Sequence, residues 1–137
     1  MILIVGGACQ GKRSFALRLY EENCGRPAEC SDVPDFEAVM KRPVVNRLEE
    51  YIREFAKEES AKAARENTES FLRRLLKENP ESIVICRELG CGIVPIDPAD
   101  RLWRDLSGEA CQFLAGHSRE VYRVICGIPM KLKGEDK

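Results

Sequence analysis

Met1-Ile2-Leu3-Ile4-Val5-Gly6-Gly7-Ala8-Cys9-Gln10-Gly11-Lys12 opens the chain and decides how the rest is read. The first five residues are wholly apolar and rich in branched side chains, a pattern suited to a strand buried on both faces. Glycine stops the run. After Lys12, Phe15, Ala16, Leu19 and Tyr20 recur at helical spacing until Gly25 and Pro27 close the segment. The order is strand, glycine loop, helix. Gly6-x-x-x-x-Gly11-Lys12 then satisfies the Gly-x-x-x-x-Gly-Lys part of a Walker A phosphate-binding loop in the context that motif requires. Gly6, Gly7, Ala8, Cys9, Gln10, Gly11, Lys12, Arg13 and Ser14 are the candidate nucleotide-binding residues. Glycines let successive N–H groups turn toward phosphate oxygens, the helix N-terminus adds partial positive charge, and Lys12 reaches the β and γ phosphates.

One position departs from that motif. Arg13 stands where a Ser or Thr hydroxyl ligates magnesium, and Ser14 follows one place late. One helical step rotates a side chain by about 100°, so Ser14 does not replace the missing hydroxyl. Arg13 is read either as a phosphate contact or as a solvated side chain.

Outward from this opening, strands and helices alternate. Ser82–Cys86 and Val121–Cys126 repeat the buried-strand pattern. Between them Asp97 as N-cap, Pro98 at the first position and Asp100 in the first turn mark a helix carrying Leu102, Leu106, Ala110, Phe113 and Leu114. Val44, Leu48, Tyr51, Ile52 and Phe55 trace one helical face, and Phe71, Leu72, Leu75 and Leu76 another, ended by Asn79-Pro80. Residues 57–67 are polar, either one continuous solvated helix or two helices broken near Ser60. Residues 24–42 carry turn-formers, with at most a turn of helix near Phe36–Met40. The alternation predicts one three-layer α/β domain over residues 1–137 with a mainly parallel sheet, a P-loop NTPase-like fold.

With 22 Lys+Arg against 23 Asp+Glu, the net charge of -1 provides no field for nucleic acid or anionic lipid. The opening apolar run is shorter than a signal peptide's core and nothing later is long enough to span a bilayer, so a cytoplasmic protein is expected. Seven cysteines cannot all pair within the chain. Cys9, Cys86, Cys91, Cys111 and Cys126 lie in or beside apolar or glycine-rich segments and are expected to be buried thiols. With no Cys-x-x-Cys pair and His117 the sole histidine, no structural metal site is expected; His117 is placed at a helix end.

A second candidate loop, Arg87-Glu88-Leu89-Gly90-Cys91-Gly92-Ile93-Val94-Pro95, follows the strand at 83–86. In an open α/β sheet ligand-contacting loops emerge there, which places Glu88 to bind hydrated magnesium or to accept a proton from a hydroxyl being phosphorylated. A solvent-facing glutamate on a plain turn is the alternative.

At these two loops the chain resembles the adenosylcobinamide kinase / adenosylcobinamide-phosphate guanylyltransferase family. Met1–Ala8 with Gly11-Lys12 is similar to the family's first strand and P-loop, and Glu88-Leu89-Gly90-Cys91-Gly92-Ile93-Val94-Pro95 to its Asn-Glu-x-Gly-x-Gly-Ile-Val-Pro signature. Arg101, Arg104-Asp105 and Gly108 follow at similar spacing, and residues 124–133 resemble its closing strand and Gly-Ile-x-x-Lys-x-Lys tail. The resemblance covers about the first twenty and the last fifty residues, and the middle has no counterpart. It implies a RecA-related P-loop fold, ATP or GTP with Mg2+ as cofactors, Lys12 and Glu88 as catalytic residues, phosphorylation of adenosylcobinamide, and a homo-oligomer. The family's guanylylated histidine has no equivalent, so guanylyl transfer is expected to be absent. A non-catalytic nucleotide-binding or regulatory protein of the same descent stays open beside the kinase.

Overall fold

The computed structural model describes residues 1–90 and 94–135. Cys91, Gly92 and Ile93 of the second candidate loop lie outside the described residues. In chain order the elements are β1 (Ile2–Gly6), α1 (Lys12–Cys24), a 3-10 turn (Ala38–Lys41), β2 (Val44–Val45), α2 (Leu48–Phe55), α3 (Ala61–Glu78), β3 (Ile83–Arg87), α4 (Pro98–His117), β4 (Glu120–Ile125) and β5 (Ile128–Lys133). The strands form one sheet in the order β2-β3-β1-β4-β5. Four run parallel, with Ile2 opposite both Ile83 and Glu120 across β1, and β5 returns antiparallel to β4.

Period-2 alternation divides the core. Ile2, Ile4, Val44, Ile83, Ile85 and Val124 point toward α1 and its Phe15 and Ala16. Leu3, Val45, Val84, Cys86 and Val121 point toward α2, α3 and α4. β1 is therefore buried on both faces, as its unbroken apolar run predicts. The layers are helix, sheet and helices.

Local signals explain most boundaries. Asp97 Oδ1 accepts the Ala99 N–H at 2.8 Å and Pro98 begins α4. Ser60 Oγ accepts the Ala63 N–H at 3.1 Å, so of the two readings of residues 57–67 the break at Ser60 is the one adopted. Val44 corrects the reading. It pairs with Ile83 in β2 instead of heading a helix, because Pro43 and two β-branched residues favour extended chain and Arg47 at φ 55° re-aims the backbone into α2. The poorly patterned segment before β2 is anchored by Phe36, whose ring meets Tyr51, Phe71 and Phe55 at 5.2, 5.4 and 5.6 Å.

The cysteines also divide. Cys86 is fully buried in β3, where its hydrogen bond to Cys111 and its burial hold the thiol well above the ordinary range. Cys9 and Cys126 are exposed, which corrects the expectation that they are buried. Both sit in tight turns at φ 57° and 51°, where the backbone curls outward and their side chains meet no core. No helix among the described residues is long and apolar enough to cross a membrane.

Candidate functional site

The loop Gly6–Lys12 leaves the carboxyl end of β1 at the centre of the sheet. Gly6 cannot carry a side chain there, because a Cβ would lie 2.6 Å from the Val124 carbonyl oxygen. Its own carbonyl accepts the Glu88 N–H at 2.9 Å, tying the loop to the end of β3. On the other side, Gln10 binds the β4–β5 turn twice: its Oε1 accepts the Cys126 N–H at 2.7 Å and its carbonyl accepts the Gly127 N–H at 2.8 Å. Cys126 and Gly127, at φ 51° and 75°, have the paired positive values of a two-residue hairpin turn.

Gly11, at φ 92°, stands at the N-cap of α1, and no side chain caps that helix. The first ladder bond runs from Phe15 N–H to the Gly11 carbonyl, so the amides of Lys12, Arg13 and Ser14 lie outside the helical ladder and face the end where the dipole is positive. Lys12 Nζ folds back to donate to the Gly7 carbonyl, lying along its own loop. Burial pushes the Lys12 ammonium below its ordinary pKa, opposed chiefly by the nearby charge of Glu49. Among the described residues the non-glycines with positive φ are Cys9, Arg47 and Cys126, and all three border this loop. Strain of that kind concentrates where a ligand must be gripped.

A recess of about 250 Å³ opens over the loop, walled by residues 8–13 and by Asn46, Arg47, Glu49, Ile85 and Arg87. Glu49, only 4% exposed, is the residue that sequence reasoning missed. Its Oε2 accepts the Arg87 N–H at 3.0 Å, and its carbonyl accepts Trp103 Nε1–H at 2.6 Å. Nothing in its spacing separates it from the neighbouring Glu50; only the fold turns it toward Lys12.

Arg13 is exposed, as its solvated reading expects, but its guanidinium is also tethered. Its Nη2 donates to the Cys30 carbonyl at 3.1 Å and its Nη1 lies 3.6 Å from Asp32, so it braces the segment after α1. Ser14 is exposed one step further round the helix. Glu88 is held by both oxygens: Arg123 Nη2 donates to Oε2 and Arg123 Nε lies against Oε1, each at 3.0 Å. It faces a second, larger cavity of about 660 Å³ between the end of β3 and α4. Lys12 and Glu88 thus sit in adjacent recesses that share Arg87 as a wall.

The residues present fit the phosphates of a nucleotide: a glycine loop, three amides outside the helical ladder and a lysine. For magnesium the fit is partial. The hydroxyl position is filled by a tethered arginine, and Glu49 is the carboxylate in the loop's recess. No group of three or more His, Cys, Asp or Glu among the described residues is arranged to hold a metal ion. His117 ends α4, its Nδ1 2.8 Å from the Phe113 carbonyl, at the edge of the sheet where β4 begins and the phosphate loop does not reach.

A mostly parallel sheet whose central strand runs into a glycine loop and an uncapped helix, with a lysine laid along that loop, is a P-loop NTPase-like architecture. Residues 32–132 match the family described as cobinamide kinase / cobinamide phosphate guanyltransferase, and the chain belongs to that family. It is also similar to the bifunctional adenosylcobalamin biosynthesis proteins CobU of Escherichia coli strain K12 and Salmonella typhimurium strain LT2. Each is 39% identical over 51 residues, which cover 37% of this chain and 28% of the relative. The family match extends through the middle of the chain, where the sequence reading found no counterpart, and it begins after the phosphate loop. That loop therefore rests on its own geometry.

Proposed function

We propose that the chain is a nucleotide-dependent kinase of cobalamin biosynthesis that phosphorylates adenosylcobinamide. The observation that carries this is the loop Gly6–Ser14, with its outward amides and Lys12 folded along it, in a chain of the cobinamide kinase family. The amides of residues 7–14 and Lys12 bind the β and γ phosphates of ATP or GTP, and Lys12 offsets charge as the γ-phosphoryl group leaves the diphosphate. The acceptor's hydroxyl gives up its proton to solvent water, its oxygen forms a P–O bond to the γ-phosphorus, the bond from that phosphorus to the β-phosphate oxygen breaks, and nucleoside diphosphate departs. Mg2+, when bound, supplies further charge neutralisation of the phosphates. Glu49 is the side chain that would hold its water shell, a role the sequence had pointed toward Glu88, and Glu88, paired with Arg123, lines the cavity on the acceptor side. Guanylyl transfer is absent from this proposal, since His117 stands at the far edge of the sheet.

Coupled turnover of ATP and of GTP with adenosylcobinamide tests the reading. Turnover is expected with the unsubstituted chain, and a rate unchanged by Lys12→Ala would sink it.

A second reading draws on Arg13. A P-loop whose metal position is taken by an arginine bound to Cys30 and Asp32 suits a non-catalytic nucleotide-binding protein. Calorimetry separates the two, because nucleotide binding indifferent to magnesium together with no turnover favours the binding protein. In either case the chain works as a homo-oligomer: Ile128, Met130 and Leu132 line one face of the edge strand β5, each about half or more exposed. Sedimentation of the unsubstituted chain and of Met130→Lys tests this, assembly being expected to weaken in the variant.

A further inference from the structure

The cavity beside Glu88 has two features that folding alone does not account for. Ser107 lines its wall on α4, 2% exposed as a residue, and its buried hydroxyl has no hydrogen-bond partner among the described residues. Buried polar groups are almost always satisfied, so one left open in a cavity wall calls for a partner that is not protein. One position further on, Gly108 sits in the interior of a 20-residue helix, where glycine is a poor choice. No neighbouring atom requires it: a Cβ at Gly108 would meet nothing within 4 Å. What Gly108 faces is the cavity, so the room it leaves is room for a ligand.

The remaining lining indicates the chemistry. Arg87 and Arg104 are mixed with Glu88, Asp105 and Glu109, so no sign of charge dominates, and Val5 and Leu89 add apolar floor. A second polyanion does not suit such a wall; a neutral molecule rich in hydroxyl and amide groups does. At about 660 Å³ the cavity holds a small molecule or one arm of a large one, and through Arg87 it adjoins the recess over the phosphate loop.

We propose that this cavity is the phosphoryl-acceptor site, taking a neutral, amide-bearing arm that ends in a hydroxyl, with the Ser107 hydroxyl as its buried hydrogen-bond partner and Gly108 as the residue that leaves it space. The assignment rests on the kinase reading above and specifies where its acceptor binds.

The test is equilibrium binding of adenosylcobinamide to the unsubstituted chain and to Ser107→Ala, Gly108→Leu and Lys12→Ala, measured without nucleotide and again with ATP. Ser107→Ala is expected to weaken acceptor binding about tenfold. Gly108→Leu, which improves helix propensity and projects a side chain into the cavity, is expected to abolish it while ATP binding and the thermal melt are kept. Lys12→Ala is expected to lose ATP and keep the acceptor. Acceptor binding unchanged in both α4 variants overturns the cavity assignment and leaves the kinase reading standing. Competitive displacement of the acceptor by ATP also overturns it, by giving the cavity to the nucleotide. A chain that binds ATP but no adenosylcobinamide overturns both.

Discussion

The carboxylate of Glu49 accepts the backbone N–H of Arg87 at 3.0 Å, joining the first turn of α2 to the last residue of β3 directly beside the phosphate loop. The bond serves two ends. It satisfies a strand amide that has run out of ladder, and it fixes a negative charge within reach of Lys12. Glu49→Ala removes the acceptor from a buried donor and is expected to cost about 1–3 kcal/mol in chemical denaturation. Glu49→Gln keeps an acceptor oxygen and removes the charge. It is expected to fold with a smaller loss and to lower the magnesium dependence of nucleotide binding in calorimetry.

Lys12 gives a pH dependence whose sign follows from burial. Its pKa is lowered in the folded chain, so between the folded and unfolded values the unfolded chain holds more protons and folding stability rises with pH across that window. The desolvated cation therefore opposes folding below it. Lys12→Met is expected not to lower the melting temperature at neutral pH, while nucleotide binding is lost. Binding by the unsubstituted chain needs the ammonium, so affinity is expected to fall on the alkaline side at a pH below the usual lysine range. In Glu49→Gln that fall should come at lower pH still, since the Glu49 charge is what holds the Lys12 pKa up. A titration of nucleotide affinity against pH checks both statements.

The sequence made the site's frame legible where a local pattern had one reading. The apolar run Met1–Val5, the glycines after it and the Asp97-Pro98 start of α4 each carry their own punctuation, and each appears as expected. What stayed hidden depends on partners distant in sequence. β2 is two residues long and exists because Val44 and Val45 find Ile83 and Val84. β5 alternates apolar residues with lysines in a way that a polar tail would share, and only its pairing with β4 shows it to be a strand. Glu88 stood out through its place after a strand, yet its two oxygens are taken by Arg123, whereas Glu49 had no local distinction and faces the loop. Spacing locates the edge of a sheet; which carboxylate turns toward the lysine is decided by packing.

Gly6 and Gly108 should respond oppositely to alanine. At Gly6 the added Cβ meets the Val124 carbonyl oxygen at 2.6 Å, a rigid backbone atom, and strand β1 must shift to admit it. Gly6→Ala is expected to cost about 1–3 kcal/mol. At Gly108 the Cβ enters open space, and relief of glycine's entropy in a helix interior is expected to add about 0.5–1 kcal/mol to the stability of the ligand-free chain. Urea denaturation of the two variants provides the comparison, and equal effects would contradict it.

Arg13 offers a gain-of-function test. Its ion pair with Asp32 spans 3.6 Å with both side chains about half exposed, so its loss should cost no more than about 1 kcal/mol. Arg13→Ser places a hydroxyl directly after Lys12, where it can complete the metal's oxygen shell at the start of α1, and it also frees the segment around Cys30 from its tether. The variant is expected to fold and to bind ATP with a stronger magnesium dependence than the unsubstituted chain. If magnesium dependence is instead the same in both, the hydroxyl position is not what limits metal binding, and the carboxylate of Glu49 already supplies what the loop lacks.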